Sequence, residues 1–143
     1  MSGVVVGTDG SAGARKALAW AVEEARLRGA PLTVLAVVTV PVTLARASSP
    51  LIGEPEPADL RAAEEEARTE IAEVDTGGVD AKIHVVSGVP AEELVNAGRD
   101  ADLLVVGSRG VGGFSRLLLG SVSTQVVHHA RCPVVVVPHD ERG

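Results

Sequence analysis

The residues best suited to chemistry lie in one stretch, GSRGVGGFSRLLLGSVS, residues 107–123. Gly107, Gly110, Gly112 and Gly113 follow directly on the apolar run LLVV at 103–106. Glycine costs backbone entropy, so its dense use just past a strand points to dihedrals or close approaches that a Cβ would forbid. Such a loop, including Ser108 and Arg109, can turn several N–H groups toward an anion. Gly120 and Ser121 then open a further helical stretch, and the first N–H groups of a helix have no partner within it. Two donor clusters would flank one pocket, with the Ser121 and Ser123 hydroxyls in reach, which suits a polyphosphate. A purely structural βα turn is the alternative that the same glycines allow.

The stretch is not a P-loop, because no Lys follows Gly120. Nor is it the dinucleotide motif, which belongs after the first strand, where this chain has GTDGS. Without the phosphate-reaching lysine, phosphoryl transfer should be slow or absent. Arg109 and Arg116 are candidate cations there, and equally ordinary surface arginines. Asp9, just past the first apolar run, is the one carboxylate placed to face the same rim; its alternative role is an Asx-turn beside Gly10. The other tempting residues carry less. His128 and His129 are adjacent, so a helix points them apart, and His84 and His139 add no metal-ligand spacing. Cys132, before Pro133, is expected to be a small packed residue rather than a nucleophile. No G-x-S-x-G elbow is present.

These residues need a frame, and the valine runs supply it. The chain has 143 residues, 45% hydrophobic but only 1% aromatic, so the core must come from Val, Leu, Ala and Ile. Runs of that kind suit strands covered on both faces. VVV at 4–6 predicts a buried strand. A helical pattern with Ala14, Leu18, Ala21, Val22 and Ala25 on one face follows, with Ser11 as its N-cap and Gly29-Ala30-Pro31 closing it. Residues 32–40 predict a second strand. Leu60, Ala63, Ala67, Ile71 and Val74 mark the apolar face of a second helix, with Glu64, Glu65 and Glu66 on its solvated side. Residues 81–86 predict a third strand, and Pro90 opens a third helix with acids near its positive end. Residues 103–106, about 121–130, and 134–137 complete the alternation. Between 41 and 57 the chain has no period and four prolines, as expected of a lid, a binding loop or a mobile segment. A βαβ series gives a parallel sheet with helices on both faces, here a three-layer α/β/α sandwich of five strands, Rossmann-like, in a single domain over 1–143. Ligands of such sheets sit beyond the carboxyl ends of the strands, where the strand order reverses. That order is not legible in the sequence.

The net charge of −6, with no Lys/Arg run, argues against nucleic acid as the main partner. A single cysteine fits a reducing compartment. No apolar stretch has membrane-spanning length, and MSGVVVGTDGS does not resemble a signal peptide. The expectation is therefore a cytoplasmic protein with no membrane partner.

Taken together, the chain resembles the universal stress protein family along essentially its whole length. The nucleotide-binding branch of that family carries G-x2-G-x9-G-[S/T], which Gly107, Gly110, Gly120 and Ser121 fill without a gap. The opening VVVGTDGS and the ending HHARCPVVVVP are similar to the family's first strand and last helix-strand unit. The resemblance implies an adenine nucleotide alpha hydrolase-like fold and an ATP site. In it, Gly107 and Gly110 approach the phosphates, and Gly120 and Ser121 hold the distal ones, with Val122 and Ser123 continuing the contact. Thr8 and Asp9 would line the end of the first strand, Asp9 facing the ribose or the associated metal. Backbone around Val37 would meet the adenine edge. One carboxylate is a thin metal site, so Mg²⁺ would rely on phosphate oxygens and water. The implied role is regulatory, a stress response with at most weak ATP hydrolysis. The alternatives are an interaction module of the same fold that uses no nucleotide, and an enzyme acting on an adenylated or phosphorylated substrate. The resemblance also implies a homodimer through Val134–Val137: as an unprotected edge strand it would invite pairing with a second copy, whereas inside the sheet it would leave a monomer.

Overall fold

A computed structural model of the chain describes residues 2–39, 56–108 and 120–138. Val4, Val5 and Val6 have no exposed surface, and they form the first three residues of strand β1 (Val4–Thr8). Alternation along the strand sends Val4 and Val6 into one helix layer and Val5 into the other. Polar side chains enter only at the carboxyl end, with Thr8.

Helix α1 (Ala12–Arg28) begins where expected. Ser11 is extended, and its Oγ accepts the Ala14 N–H at 3.1 Å. It ends at Gly29, whose φ of +62° turns its N–H back onto the Ala25 and Arg26 carbonyls. Strand β2 (Leu32–Thr39), helix α2 (Pro57–Ala72) and strand β3 (Ala81–Gly88) follow. Strand β3 runs two residues past the expected end because its ladder with β2 continues to Thr39↔Gly88. Helix α3 (Pro90–Gly98), strand β4 (Leu103–Gly107), helix α4 (Ser121–His129) and strand β5 (Val134–Val137) complete the chain. Val40 and most of the 41–57 connection lie outside the described residues.

The sheet is parallel throughout, in the order β3-β2-β1-β4-β5. Helices α1 and α2 cover one face, packing Ala17, Leu18, Ala21, Val22, Ala25 and Ala67 on Val4, Val6, Val34, Ala36, Leu103 and Val105. The other face packs Leu94, Ala97 and Val126, from α3 and α4, on Val5, Leu35, Leu104 and Val106. This is the expected three-layer, Rossmann-like sandwich with a five-stranded parallel sheet. No helix among the described residues is long and apolar enough to cross a membrane.

Candidate functional site

The strand order reverses between β1 and β4: the first two connections run outward on one side of β1, and after β3 the chain crosses to β4 and β5 on the other. The paired register of these strands ends at Val6↔Val105, although β1 runs on to Thr8 and β4 to Gly107. Beyond that point lies the switch-point crevice where parallel sheets take ligands. Thr8, Asp9, Gly107 and Ser108 all stand at this end of the sheet.

The two flanks of the glycine-rich loop are tied to each other. The Gly120 N–H donates to the Ser108 carbonyl at 2.5 Å, and the Ser123 hydroxyl donates to the same oxygen at 2.8 Å. Ser123 is 2% exposed and lies 3.2 Å from the Gly120 carbonyl as well. Thr124 adds its N–H and hydroxyl to that carbonyl at 3.0 and 2.8 Å. On the other side, the Ser108 N–H donates to Val137 at 2.9 Å, so β5 holds the base of the loop too. The Ser123 hydroxyl and the Gly120 N–H, both expected among the phosphate contacts, therefore have partners within the protein. The start of α4, with exposed Ser121 and half-buried Val122, has no side-chain cap. Its first N–H groups supply the partial positive charge of a helix start. Arg109, Gly110 and Arg116 lie outside the described residues.

Gly107 has a packing role of its own. A Cβ there would meet the Gly13 carbonyl oxygen at 2.9 Å and its carbon at 3.1 Å. Its small size lets the end of β4 lie directly against the first turn of α1, which brings the two helix starts to one crevice. Asp9 is exposed, and its Oδ1 accepts the Ser11 N–H at 2.9 Å, the Asx-turn anticipated as its other role. Val37 pairs with Val86 near the carboxyl end of β2, half-buried on the α3–α4 side.

Glu70 is the residue that sequence reasoning missed. It sits in the acidic run EEEARTE, which has the look of a solvated helix face, yet it is 2% exposed. The Thr8 hydroxyl donates to its Oε2, while Oε1 is buried with no hydrogen-bond partner. Burial raises the carboxyl above its ordinary value; the Thr8 hydroxyl opposes this, Glu66 adds to it, Arg15 opposes it and Asp9 adds to it. The available signal was positional, since Glu70 follows Ala63 and Ala67 by seven and three residues on the core face. Cys132 is partly buried, with Sγ packed by Gly98, and burial pushes its thiol up. Among the described residues no group of three or more His, Cys, Asp or Glu is arranged to hold a metal ion.

The rim of this Rossmann-like α/β protein brings together two helix starts, small residues and hydroxyls at a switch point. Residues 1–138 match the Universal stress protein family, and the chain belongs to it. A universal stress protein of Mycolicibacterium smegmatis is 36% identical over 146 residues, covering 99% of this chain and 49% of that protein. The chain thus spans about half the length of the curated relatives it matches. Among solved structures, the universal stress protein from Archaeoglobus fulgidus in complex with dAMP is 26% identical, covers 96% of this chain and 98% of that one, and has a TM-score of 0.68. A universal stress protein in complex with cAMP is 30% identical, covers 95% of each chain, and has a TM-score of 0.61.

Proposed function

We propose that this chain binds an adenine nucleotide, ATP with Mg²⁺, in the crevice between β1 and β4, and uses it as a regulatory ligand in a cytoplasmic stress response. The observation that carries the reading is the uncapped start of α4, set beside the end of β4 at the point where the strand order reverses. The phosphates would lie against the first N–H groups of α4 and residues 107–110, with Ser121 and Val122 at the distal end. The Asp9 carboxylate would meet the ribose, and backbone near Val37 the adenine edge. The similar proteins solved with dAMP and cAMP support the adenine class. Magnesium would be held mainly by phosphate oxygens and water, since the described rim offers few carboxylates for it.

Turnover is expected to be slow or absent. A fast phosphoryl transfer needs a cation on the distal phosphate and a positioned base, and the described rim places neither a lysine nor a histidine there. The test is a calorimetric titration of nucleotide-free protein with ATP, ADP, AMP and cyclic AMP, with Gly110→Val as the loop variant. ATP affinity unchanged in Gly110→Val would refute the phosphate placement, and no binding of any of the four would refute the class. Hydrolysis faster than about 1 s⁻¹ by pure protein would refute the regulatory reading.

We also propose a homodimer through β5, which stands at the edge of the sheet with its four valines only half-buried. An apolar edge strand with free backbone groups is a ready template for a second copy.

A further inference from the structure

The turn that leaves β1 rests on two carboxyl groups of α2. Gly10 has a φ of +82°, and a Cβ there would collide with Glu66 Oε1 and lie 3.7 Å from Glu70 Oε1. Thr8, the last residue of β1, reaches the same place through its hydroxyl bond to Glu70 Oε2. Arg15 of α1 pairs with Glu73, the C-cap of α2, at 3.7 Å, a second tie between these elements on the exposed side. The faces that β2 and β3 turn to α2 carry Val34, Ala36, Ile83 and Val85, all apolar. Among the described residues, the charged groups around Glu70 are thus Glu66 on its own helix, Asp9 in the turn and Arg15 on α1.

A hydroxyl has one proton to give. While Glu70 is ionised it can only accept, so Thr8 must spend that proton on it. When Glu70 is protonated, its own O–H can donate to the Thr8 oxygen, and the Thr8 proton is released to another acceptor. Thr8 is half-buried at the rim, where the β1–β4 ladder has already ended. The acceptors nearest that rim in the filled crevice would be oxygens of the nucleotide.

We propose that Glu70 is a positioning residue for the crevice: by accepting from or donating to Thr8, it decides whether the Thr8 hydroxyl donates inward to α2 or outward to the bound nucleotide. This rests on the nucleotide reading above. Neutral Glu70 also removes a negative charge from beside a polyanion, so both effects favour binding at lower pH. Burial places the titration of Glu70 above the ordinary glutamate value.

The experiment measures ATP affinity against pH for the unmodified chain, Glu70→Gln, Thr8→Val and Thr8→Ser. The nucleotide's own phosphate titration is common to all four, so differences between profiles are the readout. The unmodified chain should lose about five- to tenfold in affinity as pH rises through the Glu70 titration, the worth of one hydrogen bond to a charged group or slightly less. Glu70→Gln should stay near the low-pH affinity throughout, Thr8→Val should be weak and keep only the shallower slope that the Glu70 charge gives, and Thr8→Ser should restore the full slope. Carboxyl ¹³C NMR of the nucleotide-free chain should show Glu70 titrating, with the Thr8 amide following the same inflection. A Glu70→Gln profile parallel to that of the unmodified chain overturns the proposal, as does a Thr8→Val variant that keeps the full slope. No ATP binding by any variant at any pH overturns the nucleotide reading and this proposal together. That outcome is distinct from binding that ignores both substitutions, which leaves the nucleotide reading standing and removes only the role of Glu70.

Discussion

The Ser123 hydroxyl donates to the Ser108 carbonyl at 2.8 Å, joining the third residue of α4 to the residue that follows β4. With the Gly120 N–H on the same oxygen, this closes the base of the glycine-rich segment and fixes where α4 starts. The direction of the helix start, and with it the direction of its first-turn N–H groups, depends on a buried side chain that need not touch any ligand.

Replacing Ser123 with Ala should therefore cost about 1–2 kcal/mol of stability, the usual worth of a buried hydroxyl bond to a carbonyl. ATP affinity should fall as well, because the start of α4 loses an anchor. Urea denaturation and calorimetry on the same preparation check both effects. An affinity loss without any stability loss would instead mark Ser123 as a direct phosphate contact.

Gly107→Ala places a Cβ 2.9 Å from the Gly13 carbonyl oxygen, which is backbone and cannot swing aside. Relief requires α1 and β4 to separate, at an expected cost of about 1–3 kcal/mol. Gly29→Ala is the control: its Cβ would meet nothing within 4 Å, and only the left-handed φ of +62° penalises it, by about 1 kcal/mol. Only the Gly107 variant should also weaken ATP binding, as read by denaturation midpoints and calorimetry.

The raised titration of Glu70 makes stability depend on pH with a definite sign. Below the ordinary glutamate value of 4.5 the side chain is neutral in both folded and unfolded chains, and it carries no penalty. As pH rises, the unfolded chain releases this proton first, so stability is lost up to and through the folded-state value. Glu70→Gln has no proton to release and should show a smaller loss over that window. Urea midpoints from about pH 5 to about pH 8 test this, and identical declines for the two proteins would count against it.

Light scattering should give twice the mass of one chain at micromolar concentration. Val135→Lys or Val136→Lys should shift that value toward the monomer, since a charge on an edge strand blocks pairing. Circular dichroism is needed beside it, because Val135 and Val136 also pack against opposite faces of the core. A folded variant that remains fully dimeric would place the interface elsewhere.

The order of elements was legible from residue types alone. VVV at 4–6 and LLVV at 103–106 require cover on both faces, and the observed strands include them. Ser11 and Gly29 cap α1 as their side-chain chemistry dictates, because capping uses neighbours within a few residues. Val134–Val137 came out at the expected bounds. The glycines and serines of residues 107–123 and the carboxylate at Asp9 were visible as candidates for the same reason: composition and spacing are local.

Tertiary structure decided which of these residues meet. The order β3-β2-β1-β4-β5 brings Thr8 and Gly107 to one rim, though nearly a hundred positions separate them, and no local pattern encodes that pairing. It gave Gly107 a backbone of α1 to accommodate, gave the Ser123 hydroxyl an internal acceptor, and buried Glu70 under the β1–α1 turn. A glutamate in an acidic helix is indistinguishable from its solvated neighbours until the chain folds over it. Burial and long-range hydrogen bonding belong to the packed chain, whereas helix caps and valine runs belong to the sequence itself.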